Sequence, residues 1–245
     1  MSAVEGDPSA AKRAEIRRMF GSIAHRYDLL NRLLSLRRDV YWRRVAVAQA
    51  HIPPRGTVLD LCAGTADVAL EVLRQVPSAR VVAVDNCEPM LVLGLQKARR
   101  NAVPDRIRFV AAPAERLPFA DAAFDGAIVA FGVRNIADQR RGMAEMARVL
   151  KPGGRAVILE FSTPRSFLFG PLYRIYSHRI LPTIGGLVSG NRAAYAYLPT
   201  SVDGFLSPDG LRVLMEQTGF APVAVRPLTF GIVSIHQGQK AGSRG

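Results

Sequence analysis

Short apolar runs alternate with segments of helical periodicity through the middle of the chain. The runs suit buried strands and lie near residues 57–61, 80–85, 107–112, 124–130 and 155–161. Helical spacing falls between them, near residues 66–75, 88–100 and 139–149. This alternation predicts an α/β protein with a parallel sheet and helices on both of its faces.

The flanking segments predict helices before this region and a hairpin after it. Residues 1–11 read as a frayed tail, residues 13–20 and 29–36 as short helices around a loop GSIAHRYD, and residues 40–50 as a third helix. Ser207 is predicted to cap a helix whose first residue is Pro208 and which Gly219 ends. Residues 223–228 and 232–235 predict an antiparallel hairpin, followed by a loose tail over 237–245.

A chain of 245 residues can bury one sizeable core, so we expect a single domain with a mostly parallel, seven-stranded sheet. We divide it into an N-terminal helical lid (1–51), a cofactor-binding core (52–163), a helical substrate cap (164–206) and a closing helix and hairpin (207–236). The cap is assigned because its Leu, Ile, Phe and Tyr residues break the alternation of strand and helix, and because glycines interrupt any long helix there.

The ends of the first two strands carry the most informative chemistry. Gly64 follows the first strand in VLDLCAGTAD and lets a ligand approach the main chain, while Asp85 ends the second strand, where a carboxylate can accept hydrogen bonds from both ribose hydroxyls of a nucleoside. A dinucleotide fingerprint needs three glycines around a pyrophosphate, which Asp60 and Asp67 would repel. These acids suit a ligand with a cationic end, such as the amino group and sulfonium of S-adenosylmethionine.

The composition restricts the classes of partner that we expect, but it does not select one of them. The chain carries 33 basic and 20 acidic residues, a formal net charge of +13, and such a surface is attracted to nucleic acid or anionic lipid. A hydrophobic content of 49% indicates a folded globule, and we find neither an apolar run that would cross a bilayer nor a secretory signal, so we expect a cytoplasmic protein. Cys62 and Cys87 predict packed, reduced thiols, and the four scattered histidines predict no metal.

Five segments give the sequence a specific resemblance to a known family. In order they read FGSIAHRYDLLN, LPFADAAFD, FGVRN, RVLKPGG and YAYLPTSV. Together with the acidic turn and Asp85 they resemble the quinone-biosynthetic C-methyltransferases, which are class I S-adenosylmethionine-dependent methyltransferases. The resemblance implies a Rossmann-like methyltransferase fold, S-adenosylmethionine as cofactor, and demethylmenaquinol or 2-polyprenyl-6-methoxy-1,4-benzoquinol as methyl acceptor.

The resemblance also implies roles in cofactor binding. Gly64 and Thr65 would hold the methionine end, Asp85 the ribose, and Ala114 the adenine. The candidate cofactor residues together are Asp60, Gly64, Thr65, Asp67, Asp85, Asn86, Pro113, Ala114, Glu115, Ala130 and Phe131. The family more often has Asp or Asn at position 113 and Ser at position 130, so we expect somewhat weaker cofactor binding here.

Methylating a ring carbon requires an electron-rich carbon aligned with the S–CH3 bond, which a quinol supplies once a hydroxyl loses its proton. Arg134 and Asn135 follow the fourth strand, at the sheet edge where such chemistry takes place. We expect Arg134 to stabilise the phenolate and Asn135 to orient the ring or a water. The alternative for Arg134 is a salt bridge to Asp138 or Asp67 that only holds the loop.

Tyr27 is the third candidate catalytic residue, beside Arg134 and Asn135. Tyr27 and Asp28 belong to the N-terminal motif and are expected to close over the site, with packing by Tyr27 and helix capping by Asp28 as the alternative. The candidate substrate residues lie in the acid-free cap and are Tyr173, Tyr176, His178, Tyr195 and Tyr197. Its tyrosines either line a tunnel for a polyprenyl tail, with arginines facing lipid headgroups, or cover an apolar sheet edge, and both can hold together. His178 is a candidate base or a structural histidine.

The sequence therefore predicts an S-adenosylmethionine-dependent C-methyltransferase of a polyprenyl quinol, bound peripherally to the anionic inner-membrane surface. Two other functions stay open: a methyltransferase of a soluble aromatic or sterol-like acceptor, and a basic nucleic-acid-binding protein. The second is disfavoured because the chain has no RNA-binding motif, so we expect no specific nucleic acid partner. The choice of quinol, the tail length and a homodimer stay open as well.

Overall fold

The structure is a computed structural model and describes residues 8–164, 169–184 and 192–242. The helices are α1 (Pro8–Leu34), α2 (Arg38–Gln49), α3 (Asp67–Gln75), α4 (Glu88–Arg100), α5 (Gln139–Val149), α6 (Phe169–Ile175), α7 (Arg192–Asp203) and α8 (Pro208–Gln217). The strands are β1 (Thr57–Leu61), β2 (Arg80–Asp85), β3 (Ile107–Ala111), β4 (Phe124–Ala130), β5 (Leu150–Phe161), β6 (Phe220–Leu228) and β7 (Val233–Lys240). A π-helical turn, Tyr176–Ile180, continues α6.

The strands form one seven-stranded sheet in the order β3-β2-β1-β4-β5-β7-β6. The first five pair in parallel, whereas β7 runs antiparallel to both β5 and β6. One face packs on α2 and α3 through residues such as Trp42 and Val72, and the other on α5 and α8 through Met146 and Met215. The prediction of a mostly parallel, seven-stranded α/β sheet with a closing antiparallel hairpin is confirmed.

The strand order places a crevice at the carboxyl ends of β1 and β4. The chain leaves β1 toward β2 and β3 on one side and returns to β4 on the other, so the connections diverge between the central strands. Ligands of open α/β sheets bind at such a switch point. Several residues with an unusual backbone conformation lie at this point. Positive φ angles between 54° and 63° occur after β1 at Cys62, Gly64 and Ala66, and after β4 at Phe131.

The prediction of two short N-terminal helices around a loop is wrong, because α1 is one continuous helix. Gly21, at the start of the supposed loop, lowers intrinsic helicity by about 1 kcal/mol. That cost is outweighed by tertiary packing: Ala24 lies against Cys87 and Met90 near α4, and Leu30 packs with Leu181. Helix α1 also begins at Pro8, within the segment 1–11 that was predicted as a tail, and residues 1–7 lie outside the described part of the chain.

Two strands are longer than the apolar runs that predicted them. The predicted tail after residue 236 is wrong up to Lys240, because Gly238 pairs with both Ala156 and Val223 and so continues β7 between two partners. The fifth strand was predicted from residue 155, but β5 already pairs at Leu150, and its register with β4 then shifts. Ser207 caps α8 as predicted, accepting a hydrogen bond from the Gly210 N–H.

Candidate active site

A cleft opens at the carboxyl ends of the central strands, and we call it the strand-end cleft. It has a volume of about 90 Å³. The predicted cofactor residues that line it are Gly64, Asp85, Asn86, Pro113, Ala114, Glu115, Ala130 and Phe131. The structure therefore gathers eight residues from four separate segments at one place, although they are spread from residue 64 to residue 131 of the sequence.

Asp85 is fixed by the turn that it faces. Its Oδ2 accepts the Gly64 N–H at 2.8 Å and its Oδ1 accepts the Cys87 N–H at 2.7 Å, which leaves lone pairs on both oxygens for the two hydroxyls of a ribose. Gly64 has a φ of 54°, and a Cβ added there would meet nothing within 4 Å, so the turn faces open space. Burial raises the pKa of Asp85, and backbone N–H donors partly oppose this effect. These features fit the ribose of a nucleoside.

Three predicted cofactor residues do not line the cleft. Asp60 is buried beneath it, where Oδ2 accepts the Ala69 N–H at 3.0 Å, and burial raises its pKa to about 8. Thr65 turns its hydroxyl toward Asp28 at 2.6 Å. Asp67 lies against Lys97 and Arg43. Burial raises the pKa of its carboxyl, but the two cations outweigh this effect, so the pKa is lowered overall. The Asp67 carboxylate, which was expected to face a sulfonium, is instead paired with these two cations.

Glu115 lies in the wall of the cleft and mainly supports the loop after β4. It is 6% exposed, and its Oε1 accepts the N–H groups of Ala137 at 3.1 Å and Asp138 at 3.3 Å. Arg13 of α1 approaches the same oxygen at 3.6 Å. The apolar remainder of the wall, including Val84 and Ala114, suits a flat adenine ring.

A second cavity of about 490 Å³ lies between α1, α2, α6, α7 and the sheet, and we call it the helical cavity. Its wall is mostly apolar, with Ile23, Trp42, Phe161 and Leu198 among the lining residues. Its volume falls within the range of about 300–1,000 Å³ that is usual for pockets that bury small organic ligands. Phe20, Tyr27 and Phe131 line both this cavity and the strand-end cleft, so the two spaces meet at these rings.

Arg134 extends into the helical cavity from the turn after β4. It is 7% exposed and forms an ion pair with the buried Glu160, whose Oε1 lies 2.5 Å from Nη1. Nη1 also donates to the Phe131 carbonyl at 2.7 Å, and Nε to Ser201 Oγ at 3.2 Å. Nη2 donates to none of the described residues, so the N–H groups of this nitrogen remain available to an oxygen in the cavity. The sequence-based alternative, a bridge to Asp138 or Asp67, is wrong because Glu160 is the partner.

Asn135 faces the other space and is part of the wall of the strand-end cleft. Its Oδ1 accepts the Tyr197 hydroxyl at 3.0 Å, which connects the end of β4 to the cap. Tyr27 is half-buried between the two spaces, and desolvation raises the pKa of its phenol. The three predicted catalytic residues thus lie around the place where the cleft and the cavity meet.

The predicted substrate residues lie mostly in the wall of the helical cavity, which includes Tyr173, Tyr176, His178 and Tyr197. Burial raises the pKa of Tyr173 to about 12, so this phenol is a hydrogen-bond donor at neutral pH. The Tyr176 hydroxyl donates to the Leu34 carbonyl and ties the cap to α1. His178 Nε2 lies 3.1 Å from an Asp203 carboxylate oxygen. The side chain of Tyr195 lies outside the described residues.

Sequence reasoning missed Glu160 and the Asp39–Arg43 pair. Glu160 is 0% exposed and ends the apolar run AVILEF, and an acid in such a run signals that a cation must lie nearby. Asp39 and Arg43 are both buried, 2.6 Å apart, in the wall of the helical cavity. The available signal was their i,i+4 spacing, with Asp39 directly before the helix predicted over residues 40–50 and Arg43 within it.

Within the described ranges, no group of three or more His, Cys, Asp or Glu side chains is placed to hold a metal ion. Among the same residues, no helix is long and apolar enough to cross a membrane.

Comparison with known proteins gives a consistent result. The profile of the ubiE/COQ5 methyltransferase family matches residues 9–240. The chain is 51% identical to the ubiquinone/menaquinone biosynthesis C-methyltransferase UbiE of Geobacter sulfurreducens over 230 residues, which cover 94% of this chain and 90% of that protein. It is 47% identical to the demethylmenaquinone methyltransferase of Thermus thermophilus over 222 residues, which cover 91% of this chain and all of that protein.

Solved structures support the fold at lower identity. A SAM-dependent methyltransferase from Aquifex aeolicus has a TM-score of 0.61 at 15% identity, with 81% of this chain and 89% of that chain covered. The [4+2]-cyclase SpnF has a TM-score of 0.65 at 17% identity, with 83% and 82% covered. Likeness at this level shows the fold alone, and the reaction must be argued from the site.

Proposed function

The chain belongs to the ubiE/COQ5 methyltransferase family, and from this premise we propose that it transfers a methyl group from S-adenosylmethionine to a ring carbon of a polyprenylated quinol. The observation that carries the proposal is the contact between two unlike spaces. A narrow cleft with a fixed carboxylate, Asp85, meets an apolar cavity of about 490 Å³ at the rings of Phe20, Tyr27 and Phe131. The first suits a nucleoside and the second an apolar acceptor.

S-adenosylmethionine supplies an electrophilic methyl group on a sulfonium. Asp85 would hold its ribose, the turn at Gly64 would hold its methionine end, and Ala114 would lie along its adenine, as the free space at Gly64 and the apolar wall allow. The strand-end cleft is smaller than such a ligand requires, so binding must displace part of the wall. Pro113 and Ala130 offer no polar side chain there, which leaves Asp85 as the principal polar anchor.

Arg134 stabilises the charge that develops on the acceptor. Once a quinol hydroxyl is deprotonated, its oxygen becomes a phenolate and the neighbouring ring carbon becomes nucleophilic. Nη2 of Arg134 is placed to donate to that oxygen, while Glu160 and the Phe131 carbonyl hold Nη1 in position. The ring carbon then bonds to the methyl group as the C–S bond breaks, and loss of the ring proton restores aromaticity. Tyr27 and Phe131 would pack against the reacting ring.

We assign the quinol proton to water rather than to a side chain. A guanidinium is a donor without an acceptor site, and the raised pKa values of Tyr27 and Tyr173 keep their phenols protonated, so these side chains cannot take up the proton. The side chain of His178 is 39% exposed and paired with Asp203, which places it toward solvent.

We also propose that the mouth of the helical cavity rests on the anionic surface of the inner membrane. Leu36, Ile175 and Ile180 are part of the cavity wall and are 83%, 54% and 43% exposed. Arg38 and Arg174, both exposed, line the same cavity. Apolar residues beside arginines at the entrance of an apolar cavity suit a lipid surface from which a polyprenyl tail enters.

The reaction is tested with labelled S-adenosylmethionine and two reduced acceptors in parallel, demethylmenaquinol and 2-polyprenyl-6-methoxy-1,4-benzoquinol, both in detergent. We expect product from at least one, and a loss of about 100-fold or more in kcat for Arg134→Met, since one electrostatic donor is worth about that much. Arg212→Met, on an exposed face of α8, is the matched control. Binding of the cofactor without methylation of either quinol contradicts the proposal, and faster turnover of a tail-less aromatic favours the soluble acceptor.

Membrane association is tested by flotation with anionic and with neutral vesicles. We expect the wild-type protein to float with anionic vesicles and Leu36→Glu to remain in the soluble fraction. Val213→Glu changes an exposed apolar residue of α8 and serves as the control. Equal flotation of the two variants would rule out the mouth of the cavity as the docking surface.

A further inference from the structure

Helix α1 covers both spaces of the site. Its residues Arg13, Arg17, Phe20 and Tyr27 are part of the wall of the strand-end cleft, and Phe20 and Tyr27 also line the helical cavity. With α1 in this position the cleft has only about 90 Å³, well below the roughly 300–1,000 Å³ of pockets that hold ligands of this kind. A ligand larger than the cleft must displace part of this wall, and α1 forms one side of it.

Asp28 ties this helix to the turn that follows β1. One carboxylate oxygen accepts the Thr65 hydroxyl at 2.6 Å, and the other lies 2.7 Å from the Lys97 ammonium of α4. Lys97 also donates to Thr65 Oγ1 at 2.9 Å and pairs with Asp67, so one cation holds α1, α3 and α4 together. Asp28 lies in the interior of α1, which makes the capping role considered from the sequence wrong.

The contact reaches the cofactor cleft through one residue. Thr65, which is 3% exposed, directly follows Gly64, and the Gly64 N–H donates to the proposed ribose anchor Asp85. On the side of α1, Asp28 directly follows Tyr27, the ring shared by the cleft and the cavity. The position of α1 is thus linked both to the turn beside Asp85 and to the ring of Tyr27, which is shared by the cleft and the cavity.

We propose that Asp28 is a positioning residue that latches α1 over the strand-end cleft, so that closure of α1 and retention of the cofactor are coupled. This rests on the proposed function only in taking the cleft as the S-adenosylmethionine site. Partial burial supports the role, because the side chains of Lys97 and Asp28 are 16% and 25% exposed and their pairing is less screened than that of a surface pair.

The test measures the dissociation rate of S-adenosylhomocysteine by stopped flow, together with tryptic cleavage within α1, with and without that ligand. Asp28→Asn removes the carboxylate charge that faces Lys97, and Thr65→Val removes the hydroxyl with little change of volume. If the latch is coupled to retention of the ligand, each variant should release it about tenfold faster, because a hydrogen bond to a charged group contributes enough for that factor. We also expect each to lose the protection of α1 by ligand. Asp28→Glu, which keeps the charge, should retain most of the protection.

Asp105→Asn, an exposed carboxylate in the turn before β3, is the matched control. The latch is refuted if Asp28→Asn and Thr65→Val release the ligand at the wild-type rate while thermal unfolding shows them to be folded. It is also refuted if cleavage of α1 increases equally with and without ligand, since that pattern means packing without coupling. Failure of the wild-type protein to bind S-adenosylhomocysteine would instead contradict the proposed cofactor site.

Discussion

Replacing Glu160 with glutamine tests whether the buried ion pair holds Arg134 in the site. The two side chains are 6% and 1% exposed, and the distance between Nη1 and Oε1 is 2.5 Å. Breaking a buried pair by neutralising one partner costs about 3–5 kcal/mol, because the other charge is left uncompensated. Glutamine keeps an acceptor for the Phe161 N–H, so we expect the lower value, about 3 kcal/mol. At this chain length that corresponds to a fall in Tm of about 6–12 °C.

The assay is urea unfolding with the slope m compared between variants. Glu216→Gln removes the charge of an exposed i,i+4 pair with Arg212 and should cost about 0.5 kcal/mol or less. Adding Arg134→Met to Glu160→Gln should restore part of the stability, because the uncompensated charge is then gone. If Glu160→Gln costs no more than Glu216→Gln, the pair does not carry the energy that its burial implies.

Three further changes follow from the geometry of the strand-end cleft. Asp85→Asn should weaken S-adenosylhomocysteine binding by about 10- to 100-fold in titration calorimetry, and an unchanged Kd would exclude Asp85 as the ribose anchor. Gly64→Ala should lower the free energy of unfolding by about 1–2 kcal/mol in thermal unfolding despite the open space, because the φ of Gly64 is 54°. An unchanged free energy would mean that residue 64 does not have a positive φ. Burial raises the pKa of Asp60 to about 8, so between about pH 4 and 8 the folded protein keeps a proton that the unfolded chain releases. The free energy of unfolding should therefore fall as pH rises through this window, by up to about 1.4 kcal/mol per pH unit, and Asp60→Asn should flatten the slope; parallel slopes for both proteins would contradict this.

The sheet could be predicted because each strand carries its own signal. Runs such as VVAV before Asp85 are apolar throughout, as buried parallel strands require, and their carboxyl ends fix where Gly64, Asp85 and Arg134 meet. The segments that were missed depend on distant partners. The continuity of α1 through Gly21 comes from packing near α4 and against Leu181, which no local pattern contains.

The sequence also did not predict which way the charged side chains of the site point. Asp67 follows the glycine turn in sequence, so it was expected at the cofactor, yet Lys97, thirty residues later, and Arg43 draw it away. Arg134 was placed correctly at the end of β4, but its partner Glu160 comes from the next strand and was not predicted. Sequence patterns locate the backbone of this site, while long-range ion pairs decide which side chains face it.

The position of the transferred methyl group tests the proposed reaction most directly. The protein, S-adenosylmethionine labelled with ¹³C at the methyl group and reduced demethylmenaquinol are incubated together, and the product is examined by ¹³C NMR. We expect the label as a methyl group on the ring carbon, with none on oxygen, because Arg134 is placed to hold the phenolate oxygen while the neighbouring carbon reacts. Label found as a methoxyl group would contradict C-methylation and the role assigned to Arg134.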